Sequence, residues 1–147
     1  MPRLISAYNT VIIGVGSNIR PKENIQKARK ILSKQCQITA QSKFTKTKPV
    51  GYKNQNNFLN GALVILTPWT QTQLKSVLKK IELQLGRNQK RHSYGPRTID
   101  LDILVWNGKI IDRDFYTRNF TRKSVLMLMP GLTSHKSISS KARPYRS

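Results

Sequence analysis

Two aspartates, Asp100 and Asp102, stand one residue apart in the run Ile99-Asp100-Leu101-Asp102-Ile103-Leu104. In a β-strand, residues i and i+2 project from one face, so both carboxylates would point the same way while Ile99, Leu101 and Ile103 face a core. Carboxylates held a few ångströms apart repel each other unless a cation lies between them. Magnesium suits the pattern, being a hard ion that takes one or two carboxylates together with waters and substrate phosphates. The plainer alternative is a half-exposed strand whose polar face happens to be aspartate. Acids are scarce, six in the chain (Glu23, Glu82, Asp100, Asp102, Asp112 and Asp114) against 27 lysines and arginines, so their pairing is informative.

Just before this strand, residues 86–97 carry Arg87, Lys90, Arg91 and Arg97 with two glycines and a proline. A basic loop beside a metal site is what a lid over a triphosphate needs, because guanidinium groups grip phosphate oxygens in pairs and stabilise charge developing in transfer. A solvated basic loop in a basic protein is the alternative. Phe58 and Asn60 flank Leu59 and would share a strand face, an aromatic for stacking and an amide for hydrogen bonding a flat heterocycle, or simply core. The run GVGSN at 14–18 lacks the spacing of a dinucleotide-binding motif, and no phosphate-loop motif occurs in the chain; a turn and helix cap is expected there. His92 and His135 have no partner at ligand spacing. Cys36, the single cysteine, excludes an intrachain disulfide framework and reads as a buried or neutral thiol.

These residues need elements to position them. Residues 10–16 (TVIIGVG) predict a buried strand, and Gly14 and Gly16 with Ser17 and Asn18 are expected to turn the chain. Pro21 suits a first helical position and Glu23 a first turn, with Ile25, Ala28, Ile31 and Leu32 as the buried stripe. Residues 37–47 alternate and predict a second, half-exposed strand; residues 48–57 form a loop, and residues 58–66 a central strand. Pro68 and Thr70 open a second helix, whose Leu74, Val77, Leu78, Ile81 and Leu85 keep a 3.6-residue period and which Gly86 closes. Residues 98–106 predict the last strand, followed by a turn at Asn107-Gly108. The order β-α-β-β-α-β is the split arrangement of ferredoxin-like folds, of α+β class with a mostly antiparallel sheet and helices packed on it.

A chain of 147 residues suits one domain, expected over residues 1–132, with residues 133–147 a basic, flexible tail. No run approaches the roughly 18 to 20 apolar residues of a membrane helix, and the opening MPRLISAYNT is too short and polar for a signal peptide, so no membrane partner and a cytoplasmic location are expected. The net charge of +21 and pI of about 10.8 draw anions of any kind, nucleic acid, nucleotide polyphosphate or anionic surface, without choosing among them.

Taken in order, GVGSN at 14–18, Pro49-Val50-Gly51 leading to NNFLN at 56–60, IELQLGR at 81–87 and YGPRTIDLDIL at 94–104 resemble the motifs of the 6-hydroxymethyl-7,8-dihydropterin pyrophosphokinase family, in family order over roughly residues 10–110. The resemblance implies transfer of the β,γ-pyrophosphoryl group of ATP to the hydroxymethyl group of a reduced pterin, releasing AMP, in folate biosynthesis. It implies two magnesium ions on Asp100 and Asp102, and catalytic Arg87 and Arg97 in a mobile loop. It also implies ATP contacts from Glu82, Arg87, Arg97 and Ile103, and a pterin pocket of Thr47, Pro49, Val50, Phe58, Asn60 and Tyr94. ATP and a reduced pterin are then the partners, and a monomer is expected.

The chain departs from the family pattern in two places. Tyr94 stands where a tryptophan is usual. In DFYTRNFTRKSVLML at 114–128, the spacing to Arg122 puts Tyr116 in the place of a histidine and Ser124 in that of a second stacking aromatic; Phe120 or Tyr116 is left to supply that face. A nucleic-acid-binding module on the same scaffold is the rival drawn by the charge, but it needs aromatics on an open sheet face, and aspartates there would repel phosphates. A family member that binds its ligands without turning them over is the third alternative.

Overall fold

The computed structural model describes residues 8–49, 54–86, 98–112 and 119–129. Val50, Arg87, Tyr94, Arg97 and Tyr116, the lid expected over 86–97 beyond Gly86, and the tail expected over 133–147 lie outside the described residues.

The β-branched run at the start of the chain becomes the middle of a six-stranded sheet. Strand β1 (Asn9–Ser17) is flanked by β4 (Phe58–Thr67) and β5 (Asp100–Trp106), antiparallel to both. Beyond β4 lie β2 (Gln37–Gln41) and β3 (Thr45–Thr47); beyond β5 lies the short β6 (Lys109–Ile110). The order is β2-β4-β1-β5-β6 with β3 also on β4, and every strand pair described is antiparallel, so the class is α+β.

Helices α1 (Pro21–Ser33) and α2 (Gln71–Gln84) cover one face. Ala28 and Leu32 of α1 and Leu74, Leu78 and Ile81 of α2 pack on Val11, Ile13, Val15, Leu63, Ile65 and Leu101, as the periodicity of both helices predicts. Each such side chain taken from water contributes roughly 1.5–3 kcal/mol. Helix α2 starts in a capping box: Thr70 Oγ1 accepts from Gln73 N at 3.1 Å, and Gln73 Oε1 accepts from Thr70 N at 2.9 Å. It ends at Gly86, whose φ of 103° disfavours any residue with a Cβ.

Three features differ from the sequence expectations. Residues 37–47 make two strands rather than one. Ser42 interrupts them, its N donating to Ala62 O and its Oγ accepting from Ala62 N, both at 2.9 Å, so a side chain replaces a backbone acceptor while Phe44 lies against Gly61. Gly14, Gly16 and Ser17 do not turn the chain: all three are inside β1, and the bend comes at 18–20. Helix α3 (Asn119–Leu128), which no periodicity had singled out, packs Val125 on the second face of the sheet against Ile12, Ala62, Val64 and Leu104.

Candidate active site

The second face is where the polar residues collect. Cross-strand partners share a face, and the register places Asp100 opposite Gly16 and Asp102 opposite Gly14 on one side of β1. On its other side, Gly16 is opposite Asn60 and Gly14 opposite Ala62. Side chains from β5 and β4 therefore face each other across a strand that contributes none. Two strand spacings separate them, about 10 Å. Helix α3 covers the neighbouring apolar part of this face, at Ala62, Val64 and Leu104, and so bounds the polar part at one end.

The glycines are required by close approach. A Cβ on Gly16 would collide with Asn60 Oδ1, and one on Gly14 would come within 3.0 Å of Leu104 Cδ1. Asn60 is fixed from the other side by donating from Nδ2 to Thr47 Oγ1 at 2.5 Å, so its oxygen is held over the bare Gly16. Phe58, two residues along β4 and opposite Thr47 of β3, is half-buried on the same face. Thr47, Phe58 and Asn60 are thus brought together with the aspartate pair; Pro49 follows β3 and is half-buried.

Asp102 is exposed and Asp100 half-buried. No group of three or more His, Cys, Asp and Glu gathers among the described residues, and Asp100 and Asp102 are the carboxylates placed together on this face. Two carboxylates on an open surface fit magnesium, which completes its shell with water and substrate oxygens; they are too few for a closed structural zinc site.

Two predicted residues are placed elsewhere. Ile103 packs with the helix-side core. Glu82, on α2, is 5% exposed, and its Oε2 accepts from Leu101 N at 2.8 Å. Among the described residues beyond β5, strand β6 pairs with Val105 and Trp106 and not with Leu101, where this carboxylate takes the role of a neighbouring strand. Leu101 lies between the two aspartates, and Glu82 therefore fixes the backbone that carries them.

Asn18 was missed by the sequence argument. It is 2% exposed, and its Nδ2 donates to Gln55 Oε1 at 2.7 Å and to Asn56 O at 3.0 Å, fastening the end of β1 to the segment that leads into Phe58. Its signal was an amide directly after the glycine strand and a cluster of amides before Phe58. Of the residues at which the chain departs from the family pattern, Ser124 is buried on α3, while Phe120 is half-buried in the first turn of that helix.

The family model described as 7,8-dihydro-6-hydroxymethylpterin-pyrophosphokinase (HPPK) matches residues 12–130, which take in every described strand and helix except the first three residues of β1. The chain belongs to the HPPK family. It is 37% identical over 109 residues to the 2-amino-4-hydroxy-6-hydroxymethyldihydropteridine pyrophosphokinase of Bacillus subtilis (strain 168), covering 72% of this chain and 65% of that one. To the protein of the same name from Haemophilus influenzae it is 34% identical over 117 residues, covering 78% and 70%. It also matches a folate synthesis bifunctional protein of Arabidopsis thaliana at 37% over 103 residues, 69% of this chain but 21% of that one. The chain therefore spans less than two thirds of the length of several relatives that it matches. Of the described motif residues, Phe58, Asn60, Asp100 and Asp102 share the face that carries Gly14 and Gly16, Glu82 bonds the strand beneath the aspartates, and Ile103 faces the helices.

Proposed function

We propose that the chain transfers the β,γ-pyrophosphoryl group of ATP to the hydroxymethyl oxygen of 6-hydroxymethyl-7,8-dihydropterin and releases AMP, a step of folate biosynthesis. The observation that carries this is the placement of Asp100 and Asp102 across Gly16 and Gly14 from Asn60, with Phe58 two residues farther along β4 on the same face. A flat heterocycle with its hydroxymethyl arm and a polyphosphate fit such a floor, the ring toward β4 and the phosphates toward β5.

In this proposal Asn60 Oδ1 accepts from the pterin, Phe58 stacks on it, and Thr47, Pro49, Val50 and Tyr94 complete the pocket. Asp100 and Asp102 would hold magnesium, two ions in the family's pattern, which neutralises phosphate charge and orients ATP. Arg87 and Arg97 stabilise the charge of the transferred group, while Glu82 serves the nucleotide side by fixing β5. The hydroxymethyl oxygen forms its bond to the β-phosphorus as the bond from that phosphorus to the α,β-bridging oxygen breaks; AMP leaves and the hydroxyl proton goes to solvent. Such a transfer depends on positioning and charge neutralisation rather than on a covalent intermediate.

The core is read as ferredoxin-like over a domain of residues 1–132, supported by the order β5-β1-β4-β2 with α1 after β1 and α2 after β4. A monomer in the cytoplasm goes with this proposal; among the described residues no helix is long and apolar enough to cross a membrane. The test is incubation with ATP, magnesium and the hydroxymethyl dihydropterin, following AMP. Stoichiometric AMP and pterin pyrophosphate are expected. Binding of both ligands without AMP would instead establish the non-catalytic alternative, which the small, buried Ser124 in an aromatic's place favours.

A further inference from the structure

The proposed activity leaves most of the positive charge unused, and part of it is concentrated away from the site. Arg29, Lys30 and Lys34 of α1 and the turn after it, and Lys75, Lys79 and Lys80 of α2, are all exposed. The two helices lie side by side on the face opposite the aspartates. Their acids do not offset these cations: Glu23 pairs with Lys27 at 3.1 Å, and Glu82 is buried against Leu101. None of the six has a carboxylate partner among the described residues. Lys30 and Lys34, like Lys75 and Lys79, are four residues apart, where like charges on a helical surface repel each other.

The chemistry between these cations narrows the partner. Gln26, Gln35 and Ser76 are exposed on these helices and the turn after α1, side chains of the kind that hydrogen-bond phosphate oxygens. Leu83 is the one large apolar side chain exposed on either helix among the described residues, because the apolar stripes of both are spent in the core. The layer therefore has no apolar face to insert into a bilayer and no exposed aromatic to anchor a protein partner. Asp100 and Asp102 are on the far side of the sheet, so their repulsion of phosphate does not act here.

We propose that the outer surface of α1 and α2 is a second site, which binds the phosphodiester backbone of nucleic acid independently of sequence. The test is titration of the full chain with a random-sequence 20-base-pair duplex at several salt concentrations. If all six cations engage, log K falls with log salt at a slope of about −5. The triple variant Lys75→Ala, Lys79→Ala, Lys80→Ala is expected to lower the slope's magnitude by about 3. A charge-matched triple on β3, β6 and α3 (Lys46→Ala, Lys109→Ala, Lys123→Ala) should change it by less than about 1. Equal changes in the two triples would mean diffuse attraction by net charge and would overturn the proposal. So would an unchanged slope in the helix triple, or binding of phosphatidylserine vesicles but not duplex at the same salt. AMP release by the helix triple should equal that of the parent, so the outcome is independent of whether the pyrophosphokinase assignment holds.

Discussion

On the helix side of β1, Val11, Ile13 and Val15 are at most 3% exposed and meet the apolar stripes of α1 and α2. On the other side of the same strand, Gly14 and Gly16 offer only backbone, with two aspartates on one flank and Asn60 on the other. The alternation of a strand thus separates two tasks at adjacent residues. One face excludes water and supplies stability. The other gives up side chains at two positions, where Leu104 and the Asn60 amide oxygen come in over the bare backbone.

If the separation is real, damage to each face should have a different signature. The largest effect on activity is expected for Asp100→Ala or Asp102→Ala: AMP release falls by at least about 100-fold, as when an electrostatic stabiliser is removed, with the melting temperature nearly unchanged. A variant that unfolds instead would join the two faces into one structural unit. Leu78→Ala is the converse, costing about 2–5 kcal/mol in denaturant unfolding while turnover per folded molecule is kept.

Glu82 connects the faces. Glu82→Ala leaves the Leu101 N–H without its acceptor, costing about 1–3 kcal/mol and lowering turnover through the displaced aspartates; Glu82→Gln, whose amide oxygen still accepts, should recover most of both. Gly16→Ala sharpens the comparison further. Its methyl group displaces Asn60 Oδ1 and should raise the pterin KM by about 10-fold, the loss of roughly one hydrogen bond, with a smaller effect on ATP. Parallel losses for both substrates would mean that the floor serves the whole site equally.

The helix face carries an effect that is set by pH. Burial pushes the Cys36 thiol from its ordinary 9.0 up to about 11, and its Sγ donates to Leu32 O at 3.5 Å. The folded chain holds this proton more tightly than the unfolded one. The resulting stability is therefore present below about pH 9 and lost as pH rises toward 11. The difference in unfolding midpoint between the parent and Cys36→Ala should shrink over that window, and a flat difference would contradict the burial.

Much of this was legible in the chain itself. The i, i+2 spacing put the aspartates on one strand face, and the 3.6-residue stripe of α2 named its buried residues, because both periods are local properties of the backbone. The glycines were harder. In sequence, GVG followed by Ser-Asn has the composition of a turn, and only pairing on both sides reveals a strand whose missing side chains matter. Helix α3 was hidden for a related reason: its contact with the sheet comes from a short run at its end, Val125 with Leu126, Leu128 and Met129, and from neighbours far away in the chain.

Sequence alone therefore determined which groups could do chemistry, the α+β class and the family resemblance, since these rest on residue type and short-range spacing. Tertiary structure decided where those groups meet. It set Asp100 and Asp102 across Gly16 and Gly14 from β4, turned Glu82 inward to hold their strand, and left the lysines of α1 and α2 facing the opposite way. Register and face are fixed by long-range pairing and burial, in which a shift of one residue would turn every side chain of a strand to the other side.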